Sequence, residues 1–304
     1  MVGGRRERRQ VNGVLLLDKP RGLSSNGALQ LAKRLFQARK VGHTGSLDPS
    51  ATGLLPLCFG EATKICGFLL DTDKYYWTRI QLGVKTNTGD ADGEVVYKLP
   101  VPPVSVEDLE LILARFRGPI MQIPPMFSAV KKNGKELYKF AHQGIEVERE
   151  ARPVVIHNLH LVKIDADCLE LTVRCSKGTF IRTLAEDLGE VLGCGAHVAG
   201  LRRLGVGSFT AEQMVTAETL QQLAENGVSE LDALLLPTQA ALDHWPTVTV
   251  TEGMAFFLLQ GQSVLVPKTP AKGYVRLFKG ESCFLGMGKV LDDGRVAAKR
   301  LIRA

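Results

Sequence analysis

The sequence contains no long apolar run and no paired cysteines. A membrane-spanning helix needs eighteen or more consecutive apolar residues. The apolar run at residues 13–17 is short and ends in charge, unlike a signal peptide. The six cysteines include no CxxC pair, so we expect reduced core thiols rather than a disulfide framework or a zinc site. These absences predict a cytoplasmic protein without a membrane segment.

Cofactor-binding motifs are also missing from the sequence. There is no GxxxxGK[ST] loop for nucleotide phosphates, and no HExxH or Cys/His cluster for a metal. The segment GVGSFT at 205–210 begins like a dinucleotide fingerprint but lacks its third glycine. The loop around Ser46 lacks the GxSxG elbow of serine hydrolases. We therefore expect no cofactor and no metal, and the chemistry must come from side chains.

Positive charge is concentrated near the N-terminus. The formal net charge is +6, and residues 1–40 carry ten basic against two acidic residues, a balance of +8 that leaves −2 for residues 41–304. Such a region indicates a surface that binds a polyanion. The segment Arg5–Arg9 by itself is interpreted as a solvated tail. Four further basic residues lie on or just after a predicted helix and should be held in place: Lys33, Arg34, Arg39 and Lys40.

Helix and strand signals alternate along the first 210 residues. Apolar residues make up 45% of the chain, which predicts a folded core. The run VLLL at 14–17 predicts a buried strand, followed by a helix capped at Ser24 or Ser25. Ser105 and Asp108 have capping-box spacing and predict the start of another helix.

Two further elements carry candidate functional residues. The alternation in KYYWTRIQLG predicts a strand that places Tyr76 and Ile80 on one face. A strand at 169–175 precedes a helix whose apolar stripe begins at Ile181. Arg182 lies off that stripe in the first turn, where the helix dipole disfavours a cation. We therefore expect a carboxylate to pair with Arg182.

The last sixty or so residues have a different pattern. They predict a strand at 247–251, a short helix ending at Gly261 and several strands joined by the turn LDDGRV. This pattern is typical of a small β-rich domain. The sequence predicts a division into a first domain at 1–245 and a second at 246–304.

The segment 121–144 combines two prolines with lysines and aromatic residues. Aromatic rings stack on bases and lysines contact phosphates, so the segment could be a flap over RNA. It could equally be a surface hairpin with solvated lysines. The composition favours neither.

The stretch HTGSLDPSATG sets a single carboxylate, Asp48, among small and turn-forming residues. A carboxylate can attack an electrophilic sugar carbon, but glycosidases need a second carboxylate as the acid. The next acidic residue is Glu61, in a different segment. This pattern favours a one-carboxylate reaction on a nucleoside, or else a structural aspartate that caps a turn before Pro49.

Several motifs in order resemble the TruB family of bacterial tRNA pseudouridine synthases. They cover most of residues 12–210 and are GVLLLDKPRGLSS, GHTGSLDPSATGLLPLCFGEATK, DKYYWTRIQLGVKTNTGDADGE, QIPPMFSAVKKNGKELYKFAHQG, CSKGTFIRTLAEDLG and GLRRLGVGSF. The C-terminal part resembles the family's PUA-type RNA-binding domain. The resemblance implies an α+β (mixed α/β) fold with a central, mainly antiparallel sheet flanked by helices, a PUA-like second domain, and an RNA-gripping insertion at about 121–151.

The resemblance also implies an activity. Members of the family isomerise uridine 55 in the T-loop of tRNA to pseudouridine by base flipping and without a cofactor. By this resemblance the partner is the T-stem-loop of tRNA, and the enzyme acts as a monomer without a guide RNA. A guide-dependent synthase remains an alternative, although such relatives usually carry longer extensions. The alternative from another class is a tRNA-folding chaperone in which catalysis is dispensable.

Site residues are carried over position by position. Asp48 matches the nucleophile, which would attack the sugar or the base or assist elimination, and Arg182 matches the arginine that pairs with it. Tyr76 matches the tyrosine that stacks on the base and handles the proton of carbon 5. Residues matched to substrate binding are His43, which fills the gap left by the flipped base, Leu201 in the pocket, Lys19 under its floor, Asp90 toward the RNA loop, and Phe180, where the family often has Tyr.

Overall fold

The computed structural model describes residues 8–302, which fold around a ten-stranded sheet and a five-stranded sheet. The predicted basic residues Arg5 and Arg6 lie outside the described residues, as do Arg303 and Ala304 at the other end. Among the described residues, no helix is long and apolar enough to cross a membrane. All six cysteines are free, and four of them are buried.

Nineteen strands and eight α-helices are formed by residues 8–302. The strands are β1 (Gly13–Lys19), β2 (Val41–His43), β3 (Thr52–Phe59), β4 (Lys74–Leu82), β5 (Val84–Thr86), β6 (Val95–Lys98), β7 (Gly118–Gln122), β8 (Lys131–Lys132), β9 (Lys135–Glu136), β10 (Arg152–Asp165), β11 (Cys168–Cys175), β12 (Ala196–Val206), β13 (Phe209–Thr210), β14 (Val215–Thr216), β15 (Thr247–Val250), β16 (Val264–Leu265), β17 (Gly273–Lys279), β18 (Cys283–Val290) and β19 (Arg295–Leu301). The helices are α1 (Ser25–Leu35), α2 (Cys66–Leu70), α3 (Val106–Ala114), α4 (Leu137–Ala141), α5 (Ile181–Val191), α6 (Ala217–Asn226), α7 (Val228–Asp232) and α8 (Glu252–Leu259). Short 3₁₀ helices span Gly60–Lys64, Ala211–Gln213 and Thr238–Leu242.

The large sheet is mainly antiparallel, as predicted. Its strand order is β14-β1-β3-β12-β4-β11-β10-β7, with β2 added to β3 and β13 to β12. The exceptions are the parallel pairs β1–β14 and β3–β12. The β3–β12 pair joins segments about 150 residues apart, through Thr52 with Arg202 and Gly53 with Arg203. This pairing brings the loop before β3 next to the middle of β12.

The predicted capped helices form where the sequence places them. The side chain of Ser24 accepts a hydrogen bond from the Gly27 amide and starts α1, and Ser105 caps α3 through the Asp108 amide. Such caps satisfy amide groups that have no partner inside the helix. Helices α3 and α5 pack on β4, β10 and β11, while α1 and α6 pack on β1 and β3. The helices therefore flank the sheet, and this part of the predicted fold class is confirmed.

The five-stranded sheet is formed by β15 to β19 in the order β15-β17-β18-β19-β16. Strands β18 and β19 are joined by the predicted LDDGRV turn. The sheet has its own apolar cluster, which includes Val275, Leu277 and Val296. A β-rich C-terminal unit is thus present as expected, and the exact division at residue 245 stays a prediction.

Candidate active site

The loop between β2 and β3 carries Asp48 and is held by three buried polar side chains. Ser25 accepts a hydrogen bond from the Leu47 amide at 2.7 Å and donates one to its carbonyl at 3.1 Å. Lys19 Nζ donates to backbone carbonyls, including that of Pro49 at 3.4 Å. Arg203 donates to the carbonyl of Gly45 in the loop and to the carbonyl of Leu54 in β3. The hydrogen bonds of these buried side chains therefore hold the backbone of the irregular loop in place.

Asp48 and Arg182 form the predicted ion pair. Arg182 Nε lies 3.1 Å from Asp48 Oδ2, and Arg182 Nη2 lies 3.5 Å from Asp48 Oδ1. The side chain of Arg182 is 7% exposed and that of Asp48 is 39% exposed. The contact joins residues 134 positions apart, and it orients the carboxylate by two guanidinium nitrogens.

The remaining contacts of Arg182 explain its burial at the start of α5. Its Nη1 donates to the Thr88 carbonyl at 3.0 Å and lies 3.7 Å from Asp90 Oδ2, while its Nη2 donates to the Phe127 carbonyl at 2.7 Å. Asp90 is 8% exposed and also accepts a 2.6 Å hydrogen bond from Thr88 Oγ1. Asp90 therefore supports Arg182 from the side opposite Asp48, and its predicted contact with RNA stays a prediction.

Burial and neighbouring charges act in opposite directions on Asp48. Burial raises the pKa of Asp48, and the carboxylate of Asp90 adds to the rise, whereas Arg182 and Lys19 lower it. The ion pair thus favours the ionised form as expected, but it does not fully offset burial. Burial lowers the pKa of Lys19 to about 8, because its amino group lies under the loop with no exposed surface.

Tyr76 and Leu201 approach the loop from neighbouring strands. In the antiparallel pair β4–β12, Tyr76 is opposite Arg203 and Leu201 is opposite Thr78. Tyr76 is partly buried on the same face as Ile80, as predicted, and packs with it against the core. Burial raises the pKa of Tyr76, and the positive charge of Arg203 opposes this rise.

His43 ends β2 just before the loop, and burial lowers its pKa. Its Nδ1 is buried and has no hydrogen-bond partner among the described residues. Phe180 is half-buried immediately before α5, and its backbone is bridged by Gln122, which donates to its carbonyl at 3.2 Å and accepts from its amide at 3.0 Å. The predicted residues therefore lie on elements that meet around the loop. Phe180 reaches this region because it directly precedes α5, the helix that carries Arg182.

A small cleft opens beside the ion pair. Its volume is about 10 Å³, close to the space that one water molecule needs. Its walls include Asp48, Asp90, Arg182, Leu201, Arg21, Ser50, Ala91 and Gly200. The Asp48 side chain is 39% exposed, so the cleft leaves its carboxylate open to solvent.

Two contributors to the site carry no signal in the sequence. The first is the Phe127 carbonyl, which reaches Arg182 from the segment 121–144. The second is Arg203, which is 1% exposed and lies in the motif GLRRLG, where nothing in the local pattern marks one arginine as buried. Both depend on contacts between distant segments, which local composition does not encode. No cluster of metal-binding side chains occurs in the part of the chain that the structure describes.

Comparison with known families gives matches along nearly the whole chain. Residues 33–181 match the model described as TruB family pseudouridylate synthase, N-terminal domain. Residues 182–243 match the tRNA pseudouridylate synthase B C-terminal domain, and residues 246–302 match Pseudouridine synthase II TruB, C-terminal. The chain belongs to the TruB family of pseudouridylate synthases. It is therefore an isomerase, and its C-terminal unit has the PUA-like fold expected from the sequence.

Curated relatives in the TruB family extend over the same length. A protein of Nitrosococcus oceani named tRNA pseudouridine synthase B is 54% identical over 96% of this chain and 95% of its own length. A protein of Stutzerimonas stutzeri with the same name is 54% identical over the full length of both chains. The similarity thus includes the loop, α5 and the second sheet.

Solved structures support the fold of this TruB family member. A chain in the crystal structure of a Cbf5-Nop10-Gar1 complex has a TM-score of 0.74 with 23% identity, and covers 95% of this chain and 84% of that chain. A chain in the structure of an H/ACA RNP bound to a substrate RNA containing 2'-deoxyuridine has a TM-score of 0.74 with 21% identity, and covers 96% and 85%. At this identity the likeness shows the fold alone.

Proposed function

We propose that this pseudouridine synthase isomerises uridine 55 in the T-loop of tRNA, with Asp48 as the reacting carboxylate. The observation that carries the proposal is the ion pair of Asp48 and Arg182, because it orients the partly exposed Asp48 carboxylate at the wall of a cleft, while the second acidic wall residue, Asp90, is nearly buried and lies beside Arg182. The relatives of similar length are named tRNA pseudouridine synthase B, which supports tRNA as the substrate.

The reaction exchanges one bond for another at the ribose. The bond between nitrogen 1 and carbon 1′ breaks, the uracil turns over, and carbon 5 bonds to carbon 1′. Asp48 would attack carbon 1′ or the base, or assist elimination, and Arg182 would hold it in place. Carbon 5 then loses its hydrogen as a proton, for which Tyr76 is the proposed acceptor, and nitrogen 1 gains a proton. Atoms are conserved, so the residues need no cofactor.

Base flipping would bring the uridine to this carboxylate. Extruding a base costs a few kcal/mol, which phosphate contacts elsewhere can offset. Burial lowers the pKa of His43, which favours a neutral imidazole that can occupy the place of the flipped base. Phe180 and Leu201 would line the base, and Lys19 would support the floor.

The proposed working form is a cytoplasmic monomer that binds the T-stem-loop without a guide RNA. The solved structures with this fold include complexes with other proteins and RNA. Their sequence identity to this chain is 21–23%, which supports a shared fold but not a shared set of partners. Relatives named tRNA pseudouridine synthase B match over the whole chain and support action on tRNA. Isomerisation by the purified chain alone on an unmodified transcript would meet this expectation.

The test measures tritium release from a tRNA transcript labelled at carbon 5 of uridine. Wild type should release tritium, and Asp48→Ala and Asp48→Asn should not, while tRNA affinity stays within a few-fold. The control is Asp165→Ala, which removes an exposed carboxylate at the end of β10. Comparable loss of affinity in the Asp48 variants would make Asp48 structural. Absence of release from every protein would leave the alternative of a tRNA-binding chaperone.

A further inference from the structure

Arg203 is a buried arginine that bonds to carbonyls instead of carboxylates. It is 1% exposed, and its Nε donates to the Leu54 carbonyl at 2.7 Å while its Nη2 donates to the Gly45 carbonyl at 3.2 Å. The ion pairs formed by the described residues do not include Arg203. Burying an arginine is costly without compensating bonds. These two bonds join the two ends of the loop that carries Asp48.

The same guanidinium lies beside Tyr76. Arg203 and Tyr76 are directly opposite each other in the β4–β12 ladder, where cross-strand neighbours are close enough to interact. The charge of Arg203 opposes the rise that burial causes in the pKa of Tyr76, and it adds to the fall that burial causes in the pKa of His43. Arg203 therefore contacts the loop and also acts on the side chain proposed to take the proton.

The chemistry of the last step requires a base of this kind. When carbon 5 has bonded to carbon 1′, its proton passes to the Tyr76 oxygen. The electron pair of the carbon–hydrogen bond restores the double bond between carbons 5 and 6, and nitrogen 1 takes up a proton. A phenol oxygen accepts a proton when it is ionised, and burial of Tyr76 disfavours the ionised form. A fixed positive charge beside the oxygen favours it.

We propose that Arg203 is a positioning residue of the synthase: its bonds to the Leu54 and Gly45 carbonyls hold its guanidinium beside Tyr76, where its positive charge favours the ionised phenol. This inference rests on the proposed role of Tyr76 as proton acceptor. It assigns Arg203 no contact with the substrate. Its role differs from that of Arg182, which pairs with Asp48 itself.

The test compares Arg203→Gln and Arg203→Lys in the wild-type and Tyr76→Phe backgrounds. Tritium release is measured in single turnovers with excess enzyme, together with tRNA affinity and thermal unfolding. Arg203→Gln should slow release by about 100-fold with affinity within three-fold, and Arg203→Lys should recover most of the rate because it keeps the charge. In the Tyr76→Phe background neither change should slow release further, because the oxygen that Arg203 serves is already gone.

The control is Arg117→Gln, which removes a partly buried arginine that donates to the Leu159 carbonyl at 3.0 and 2.6 Å, remote from the loop. It should leave the rate unchanged in both backgrounds. If the Arg203 variants slow release by the same factor with and without Tyr76, Arg203 acts independently and the proposal is overturned.

Two further outcomes separate this inference from the proposed function. If Arg203→Gln does not fold, the test rests on Arg203→Lys: a near wild-type rate supports the proposal, and a loss near 100-fold despite the retained charge overturns it. If Tyr76→Phe alone retains the full rate, Tyr76 is not the proton acceptor and this inference is wrong as well. The proposed role of Asp48 is unaffected by that result. If wild type releases no tritium, the proposed function itself is wrong.

Discussion

At the scale of single residues, three buried cations in or near the candidate site form hydrogen bonds with backbone carbonyl oxygens. Lys19, Lys74 and Arg203 are at most 8% exposed, and none of them is among the ion pairs formed within residues 8–302. Lys74 Nζ donates to the carbonyls of Leu70 and Thr72. Burial removes the hydrogen bonds of these groups to water, and the bonds to carbonyl groups replace them only in part. We interpret their burial as a cost in stability, which at Lys19 supplies positive charge near the Asp48 carboxylate.

Lys74 offers a measurable form of this cost. Burial lowers its pKa from 10.5 to about 8, so between these values the unfolded chain binds a proton that the folded chain does not. The free energy of unfolding of wild type should therefore rise, relative to Lys74→Met, by about 3 kcal/mol as the pH increases from 7.5 to 10.5. Urea unfolding at several pH values measures the difference. The exposed residue Lys98 supplies the control, since Lys98→Met should follow wild type, and a constant difference for Lys74→Met would contradict the prediction.

The sequence predicted single residues well where a local conflict was visible. A cation in the first turn of α5 required a partner, and Arg182 pairs with Asp48. Arg203 gave no such signal, because its partners are carbonyl groups of Leu54 and Gly45, about 150 positions away. Backbone groups are present at every residue, so no pattern of side chains identifies them.

At the scale of elements, the close approach of β3 and β12 positions the loop. Gly53 has a φ of +101°, and a Cβ atom there would collide with the backbone of Arg203, its neighbour in the parallel pair. Local alternation and caps predicted β4, α1, α3 and α5, because those signals lie within a few residues. The parallel β3–β12 pair was not predicted, since its evidence is a contact between distant strands.

Gly53→Ala should separate β3 from β12. The collision is with backbone, so the strands must shift, and we expect the free energy of unfolding to fall by about 3 kcal/mol with loss of most activity. The control is Gly280→Ala, whose φ of +60° is also positive but whose Cβ would meet nothing within 4 Å. That variant measures the backbone strain alone, about 1 kcal/mol. Equal losses in the two variants, measured by urea unfolding, would show that close packing at Gly53 has no role.

The segment 121–144 is the element for which composition left two interpretations open. Its lysines make some internal contacts: Lys131 Nζ lies 3.6 Å from Glu136, and Lys135 Nζ bonds to Gln143 at 3.1 Å and lies 4.4 Å from the centre of the Phe140 ring. The side chain of Lys131 is nevertheless 62% exposed. The segment also touches the site through the Phe127 carbonyl.

Binding to RNA predicts a salt-dependent contribution from these lysines. The triple variant Lys131→Ala, Lys132→Ala and Lys135→Ala should weaken tRNA binding and reduce the slope of log affinity against log salt by about 2, because up to three phosphate contacts are lost. Filter binding between 50 and 200 mM salt measures the slope. The Lys163→Ala variant on β10 serves as a control that should retain it. An unchanged slope in the triple variant would favour the surface hairpin.

At the scale of the whole molecule, the two sheets share an apolar cluster. Met287 of β18 is fully buried in a cluster with Leu16 of β1 and Leu54 of β3. Phe68 makes edge contacts with Trp245, at 5.3 Å between ring centres, and with Tyr274 of β17, at 5.2 Å. The sequence predicted two units from their patterns, but this contact surface joins residues that no local window contains.

This shared cluster predicts that the two sheets unfold together. Val296 is fully buried in the cluster of the second sheet alone, so Val296→Ala should cost about 2 kcal/mol there. Trp77 lies on β4, in the first sheet, and becomes the single tryptophan when Trp245 is replaced by Phe. In that background, Val296→Ala should lower the urea midpoint reported by Trp77 fluorescence as much as the midpoint reported by circular dichroism, because one cooperative transition includes both sheets. A Trp77 midpoint that does not move would mean that the PUA-like sheet unfolds independently, and that the apolar contact positions the two sheets without coupling their stabilities.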